Sequence, residues 1–106
     1  MTNNNFQQIL QMGQQVQAKL SELQAELGER TISCSSGGGM VTVAADGRGK
    51  IRSIKIDPTV VDPEDVELLE DLVIAAVTEA QNRAGSLYEE EMSRLSGGLP
   101  FPLPEL

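Results

Sequence analysis

The positive charge of this chain is concentrated in one short stretch. Four of the eight basic residues lie between positions 48 and 55, while the 106-residue chain carries a formal net charge of -8. Clustered lysine and arginine side chains neutralise phosphate groups, and this neutralisation drives binding to nucleic acid without regard to base sequence. The stretch is therefore a candidate polyanion contact, and its bases are Arg48, Lys50, Arg52 and Lys55.

The same bases have a second interpretation. Charged side chains on a solvent-facing strand prevent sheets from aggregating edge to edge. Residues 57–71, which follow the basic stretch, include seven acidic residues and no basic one, so the bases can also pair with the start of the next helix. The pattern leaves both roles open.

The residue types that the chain lacks exclude several chemistries. Without histidine, the chain has no His-based acid/base catalysis and no His-containing metal site. Its single cysteine, Cys34, forms neither an intrachain disulfide nor a thiolate zinc site, and we expect a small buried strand residue. The glycine-rich stretches 36–40 and 45–49 match neither the phosphate loop nor the dinucleotide fingerprint. We predict no enzymatic activity, no cofactor and no metal.

Length and composition indicate one small domain. The chain is 40% hydrophobic with three aromatic residues, which makes a thin core that a second copy would help to complete. The first fifteen residues contain neither a basic segment nor a continuous apolar run, so we predict no signal peptide and no membrane span. Together with the single cysteine, this favours a cytoplasmic protein.

The first element is predicted to be a helix with a coiled-coil repeat. Its apolar or small residues alternate in steps of three and four, as in a helix seam; they are Phe6, Ile9, Gly13, Val16, Leu20, Leu23 and Leu27. Such a helix is roughly 30 Å long, and Gly28 is placed to end it in a left-handed cap. It either lies on its own sheet or forms an arm that packs on another helix, including one from a second chain.

Three short strands are predicted to follow as an antiparallel meander. Residues 31–35, 40–45 and 50–56 show the alternation of half-buried strands, and Asp46 with Gly47 is a hairpin signal. The third strand changes the parity of its apolar residues near Ser53, which predicts a bulge there. The sheet would have one apolar face and one partly basic face.

The second helix is predicted to be too long for that sheet. Asp62 is a suitable N-cap with Pro63 in the first turn, and apolar residues then recur at helical spacing from Val66 to Leu95. The helix would be roughly 50 Å long, with Gly85 as its weak point, whereas three strands span only about 15 by 20 Å. The overhanging half still carries apolar residues, so we predict a homodimer with projecting arms.

A proline-rich tail ends the chain. Proline at positions 100, 102 and 104 excludes a helix and favours an extended segment. The tail is either a loosely ordered terminus or a strap whose Leu99, Phe101 and Leu103 cross the dimer or dock a partner.

Five segments together resemble the bacterial YbaB/EbfC family of nucleoid-associated proteins. They are MGQQVQAKLSELQAEL, GGGMVTVAADG, IRSIKIDPTVV, EDVELLEDLVIAAVTEAQNRA and EEEMSRLSGGLPFP. The resemblance extends from about Ile9 to Pro102. A strand that ends in IDP and is followed by ELLEDL is an unusual combination, which makes the resemblance specific.

The resemblance implies both a fold and a function. The fold is α+β, in the order α-β-β-β-α, assembled as a tweezer-like homodimer with projecting helical arms. Residues 1–98 would form this single domain and residues 99–106 the tail. The function would be binding of double-stranded DNA with little sequence preference, altering its conformation in the cytoplasmic nucleoid. The family places its DNA contacts on the arms, which adds as candidates here Lys19, Arg30, Arg83 and Arg94.

Charge supports a second functional hypothesis. A dimer would carry sixteen basic and thirty-two acidic residues, and the arms are acidic. Arg83 and Arg94 are also placed to pair with Glu79 and Glu90, four residues earlier on the helix. An acidic dimer that binds a protein partner through its arms or its tail, in the manner of a chaperone, is therefore the alternative to a DNA-organising dimer.

Overall fold

The computed structural model describes residues 2–97. Its elements are α1 (Thr2–Glu29), β1 (Thr31–Ser36), β2 (Val41–Asp46), β3 (Ile51–Ile56), a 3-10 turn (Pro58–Val60) and α2 (Val66–Gly97). The predicted α+β order of one helix, three strands and a long helix is confirmed. The tail, residues 99–106, lies outside the described residues.

The sheet is antiparallel in the order β1-β2-β3. Between β2 and β3, Ala44 lies opposite Ser53 but the next residue, Ala45, lies opposite Ile51. Arg52 is therefore an extra residue in β3, and the predicted bulge near Ser53 is confirmed. A bulge of this kind turns a side chain away from the regular alternation of the strand.

The core lies between α2 and the first two strands. Val41 and Val43 are fully buried, and Cys34, directly opposite Val43 on β1, is buried beside them. α2 faces them with Ala76 and Ala80, whose small side chains allow the helix to approach the sheet closely. Cys34 is thus a buried strand residue, as predicted.

The molecule is an elongated body. It measures 75 × 20 × 17 Å, and its radius of gyration is 20.2 Å, against about 13 Å for a compact domain of this length. Leu23 and Leu27 on the C-terminal half of α1 are buried, whereas Phe6 and Ile9 near its start are 62% and 65% exposed. The first helix therefore projects as an arm and does not lie flat on the sheet. α2 continues through Gly85 without a break.

Two helix ends differ from the prediction. Gly28 stays within α1 and has no left-handed conformation, because the last carbonyl groups of the helix find partners elsewhere. Asp62 is not the N-cap of α2. Its carbonyl accepts a hydrogen bond from the N–H of Asp65, closing a turn over Pro63. Asp65 caps the helix instead, through a hydrogen bond to its carboxylate from the N–H of Leu68.

Candidate nucleic-acid interface

A buried carboxylate organises the hairpin loop between β2 and β3. Asp46 is only 3% exposed. Its Oδ1 atom accepts hydrogen bonds from the backbone N–H groups of Arg48 (2.9 Å) and Lys50 (3.0 Å). Its Oδ2 atom accepts one from the guanidinium group of Arg52 at 2.8 Å. Both oxygens of one side chain therefore determine the conformation of residues 47–50.

The hairpin loop is also attached to both helices. The N–H of Gly47 donates a hydrogen bond to the carbonyl of Leu27 in the last turn of α1 at 2.8 Å, and the N–H of Arg30 donates to the same carbonyl at 3.2 Å. On the other side, the amide nitrogen of Gln81 on α2 donates to the carbonyl of Gly49 at 3.2 Å. The loop is thus a fixed platform at the base of the two arms.

The hydrogen bonds to Asp46 favour its charged form. The hydrogen bond from the backbone N–H of Lys50 is the largest cause that holds the pKa of Asp46 below its ordinary value of 3.8. Burial acts against it and raises the pKa, while the N–H of Arg48 and the guanidinium of Arg52 lower it further. The pKa is lowered overall, so at neutral pH the group is a carboxylate.

Acid should remove the stabilisation that Asp46 provides. A carboxyl group whose pKa is lowered by folding stabilises the protein above the unfolded pKa, here 3.8, and this stability is lost as the pH falls through the lower folded pKa. We expect Asp46→Asn to be less stable than the parent protein at neutral pH, with a difference that narrows below about pH 4. Urea unfolding at several pH values measures this. Glu29→Gln, which removes an exposed charge, is the control, and an unchanged difference in acid would contradict the assignment.

Three of the basic residues are paired with acids. Besides Arg52 with Asp46, Arg83 pairs with Glu79 at 2.7 Å, as predicted. Arg94 pairs with Glu91 at 3.2 Å, so the predicted pairing with Glu90 is wrong. Residues three and four positions apart are both neighbours on a helix surface, and Glu91 lies three positions before Arg94. Within residues 2–97, the bases that pair with no carboxylate are Lys19, Arg30, Arg48, Lys50 and Lys55.

Three of these unpaired bases lie at one end of the molecule, which we call the basic end: Arg30, Arg48 and Lys50. Arg30 and the hairpin loop are brought together because both donate to the carbonyl of Leu27. The side chain of Arg48 passes over Gly28, since a Cβ atom there would lie 3.6 Å from its Cδ. These cations therefore surround the negative end of the α1 dipole, which stabilises positive charge.

The structure changes the grouping of the candidate residues. Arg30 was assigned to an arm, but it follows the end of α1 and lies beside the hairpin. Lys55 lies opposite Thr42, towards the far end of β3, about 15 Å along the strand from Lys50. Arg52 is neutralised by Asp46. The hairpin patch of four bases is thus two unpaired loop bases joined by Arg30.

The candidate bases on the arms are surrounded by acids. Lys19 and Arg94 line a shallow groove between α1 and α2 together with Glu22, Glu26 and Glu91. Arg83, the remaining candidate of α2, is already paired. Acidic residues outnumber basic ones along α2, so the arms offer phosphate groups little net attraction.

An open groove of about 540 Å³ adjoins the basic end. Its walls come from α1, the hairpin loop and α2, and they present Gln24, Arg48, Gln81 and Tyr88. Two side-chain amides, a phenol and a guanidinium group supply hydrogen bonds to a polar ligand. Sequence analysis did not identify Gln24, Gln81 or Tyr88, because no local motif connects three polar residues on two helices.

Two further searches cover the part of the chain that the structure describes. Among residues 2–97, no three Cys, Asp or Glu side chains converge as a metal site would require. Neither described helix has a stretch both long and apolar enough to cross a bilayer.

Comparison with known proteins identifies the family. A model of the YbaB/EbfC DNA-binding family matches residues 2–99. A relative from Pelotomaculum thermopropionicum, named a nucleoid-associated protein, is 44% identical and the match covers 96% of this chain and 97% of that one. Another so named, from Thermodesulfovibrio yellowstonii, is 48% identical, with 98% and 90% covered. These relatives define a class of nucleoid-associated proteins. The chain belongs to the YbaB/EbfC DNA-binding family.

A solved structure shows the same fold. The crystal structure of an uncharacterized protein from Helicobacter pylori superposes with a TM-score of 0.68, covering 77% of this chain and 95% of that one. The sequence identity is 21%, so this likeness concerns the fold alone. The resemblance found in the sequence is confirmed by the family match and by the architecture.

Proposed function

We propose that the protein is a homodimer that binds double-stranded DNA largely without sequence preference and alters its conformation, contributing to nucleoid organisation and gene regulation in the cytoplasm. The observation that carries the DNA contact is the convergence of three unpaired bases at the basic end. Membership of a DNA-binding family and relatives named nucleoid-associated proteins support it.

Local charge decides where DNA would bind. The chain as a whole repels a polyanion, since its net charge is -8, but charges beyond about 10 Å are largely screened at ordinary salt concentrations. At the basic end, Arg30, Arg48 and Lys50 have as their nearest acid Asp46, which is already occupied by Arg52. Twofold symmetry would double this group, giving two contacts on one duplex.

Replacing the basic end should weaken DNA binding and its salt dependence together. We expect the triple variant Arg30→Ala, Arg48→Ala and Lys50→Ala to bind a random duplex at least about tenfold more weakly at 50 mM salt. Each lost phosphate contact lowers the salt slope by about 0.9, so six contacts per dimer would remove roughly three powers of ten of the affinity change between 50 and 200 mM salt. Fluorescence anisotropy at several salt concentrations measures both.

The control changes equally exposed bases on an arm. Arg83→Ala with Arg94→Ala removes two arginines that are paired with acids on their own helix, and the salt slope should stay unchanged. If this pair of changes lowers the slope while the triple variant keeps it, the arms carry the contact. If the parent protein binds no duplex at the lowest salt, DNA binding is wrong and the protein-binding alternative stands.

The proposed homodimer is supported by an uncovered apolar surface along β3. Ile54 and Ile56 lie opposite Val43 and Val41 and share their buried face, yet they are 44% and 40% exposed because α2 covers only β1 and β2. Ile74, which is 62% exposed, lies on the same side of α2 as Gln81, the residue bound to the β2–β3 loop. We call Ile54, Ile56 and Ile74 the β3 surface.

A second copy is the occupant that this surface fits. Large apolar side chains grouped beside an open strand edge are typical of an interface and not of an ordinary monomer surface. The thin core of the single chain has the same need, since a second copy would complete burial of a face that the chain half covers.

A protein partner is the second candidate function. Phe6, Ile9 and Leu10 expose 50% or more of their surface near the tip of the α1 arm. An apolar stripe on an acidic arm is typical of helix-in-groove recognition of another protein. Purification that recovers a protein partner without nucleic acid would favour this function over DNA binding. The proline-rich tail is the other segment proposed to dock a partner.

A further inference from the structure

We propose that Asp46 sets how many positive charges the hairpin offers to DNA: it positions Arg48 and Lys50 for phosphate contact and withholds Arg52 from it. This inference rests on the proposed function, because it assigns a role within the same DNA contact. Asp46 would be a positioning residue that touches no phosphate itself.

The two oxygen atoms of Asp46 have separate tasks. Oδ1 accepts only from backbone N–H groups, those of Arg48 and Lys50, and so holds the loop. Oδ2 accepts only from the Arg52 side chain. The carboxylate is buried, with 4% of its side chain exposed, so the charge of Arg52 is compensated at a site that salt screens poorly.

Arg52 is well placed to contact DNA if it is released. It is the extra residue of the β3 bulge, and 54% of its side chain is exposed even while it is paired. It also lies only two residues from Lys50. The pairing with Asp46 therefore keeps an accessible guanidinium group beside the basic end from acting as a free cation.

Asparagine at position 46 would separate the two tasks. Its side-chain oxygen still accepts hydrogen bonds from both backbone N–H groups, while its NH₂ group replaces Oδ2 and cannot accept from an arginine. Asp46→Asn should therefore keep the loop and release Arg52. Amide hydrogen exchange at residues 48 and 50 reports whether the loop keeps its protection.

The expected result is a steeper salt dependence of DNA binding. One additional phosphate contact in each protomer raises the slope by about 1.8 per dimer, so the loss of affinity between about 50 and 200 mM salt grows about tenfold. The gain must disappear in Asp46→Asn combined with Arg52→Ala, compared with Arg52→Ala alone. Glu29→Gln, which removes one negative charge near the basic end, is the matched control and should leave the slope unchanged.

A gain no larger than that of Glu29→Gln, or one that persists without Arg52, would overturn the inference. A second measurement leaves Asp46 intact. In the parent background, Arg52→Gln should keep the salt slope, whereas Lys50→Gln should lower it by about 1.8 per dimer. If both changes lower the slope equally, Arg52 already contacts DNA and the inference is wrong while the DNA site stands. If neither lowers it, the basic end is not the DNA site and the proposed contact itself fails.

Discussion

Gly47→Ala is expected to lower the free energy of unfolding by about 2–4 kcal/mol. A Cβ atom at this position would lie 2.7 Å from the carbonyl oxygen of Leu27 and 3.2 Å from its Cα. These are backbone atoms of α1 and cannot rotate away. The hairpin would have to move from the helix and lose the 2.8 Å hydrogen bond between the N–H of Gly47 and that carbonyl.

A second glycine provides the matched control. At Gly85 on α2 a Cβ atom would meet nothing within 4 Å, and alanine is the better helix former by about 1 kcal/mol. Gly85→Ala should therefore stabilise the protein, or leave it unchanged, in the same urea titration. Equal stability of the Gly47→Ala and parent proteins would show that the hairpin is not pressed against α1. The loop geometry at the basic end would then need revision.

Ile54→Asp is expected to dissociate the proposed dimer. Ile54 belongs to the β3 surface, and a carboxylate placed in an apolar interface costs several kcal/mol unless it finds a partner. Because a twofold interface contains each residue twice, a penalty of about 4 kcal/mol in total raises the dissociation constant roughly a thousandfold. Analytical ultracentrifugation across a range of concentrations measures the change.

The control lies one residue away on the same strand. Ser53 is exposed and lies opposite Ala44, on the other face of the sheet, so Ser53→Asp adds the same charge without entering the β3 surface. It should leave the assembly unchanged. If the parent protein sediments as a monomer at micromolar concentration, the proposed homodimer is wrong. If Ile54→Asp remains dimeric, the second copy binds a different surface.

Much of the fold was predictable because its signals are local. The alternation in residues 31–35 and 40–45 predicted two strands, the parity change near Ser53 predicted the bulge, and the helical spacing from Val66 to Leu95 predicted a helix longer than its sheet. The wrong predictions concern helix ends. Capping at Gly28 and Asp62 depended on hydrogen-bond partners supplied by a neighbouring loop or turn.

The candidate site was only partly predictable. Charge clustering identified Arg48 and Lys50, and the family resemblance identified Arg30, but no sequence pattern placed the three together. Nor did any pattern show that Arg52 is neutralised, since Asp46 had been interpreted only as a turn residue. Its burial and its contact with a guanidinium group six residues away follow from the bulged hairpin.

The sequence by itself determined the order of the elements, the family, the excess of negative charge and the stretch in which bases are concentrated. These properties depend on residue types and on spacings within single elements. Tertiary structure decided which bases remain unpaired and where they meet. That outcome depends on the hydrogen bond from Gly47 to Leu27 and on the one from Gln81 to Gly49, which join segments 20 and 32 residues apart and form only when both helices pack against the hairpin.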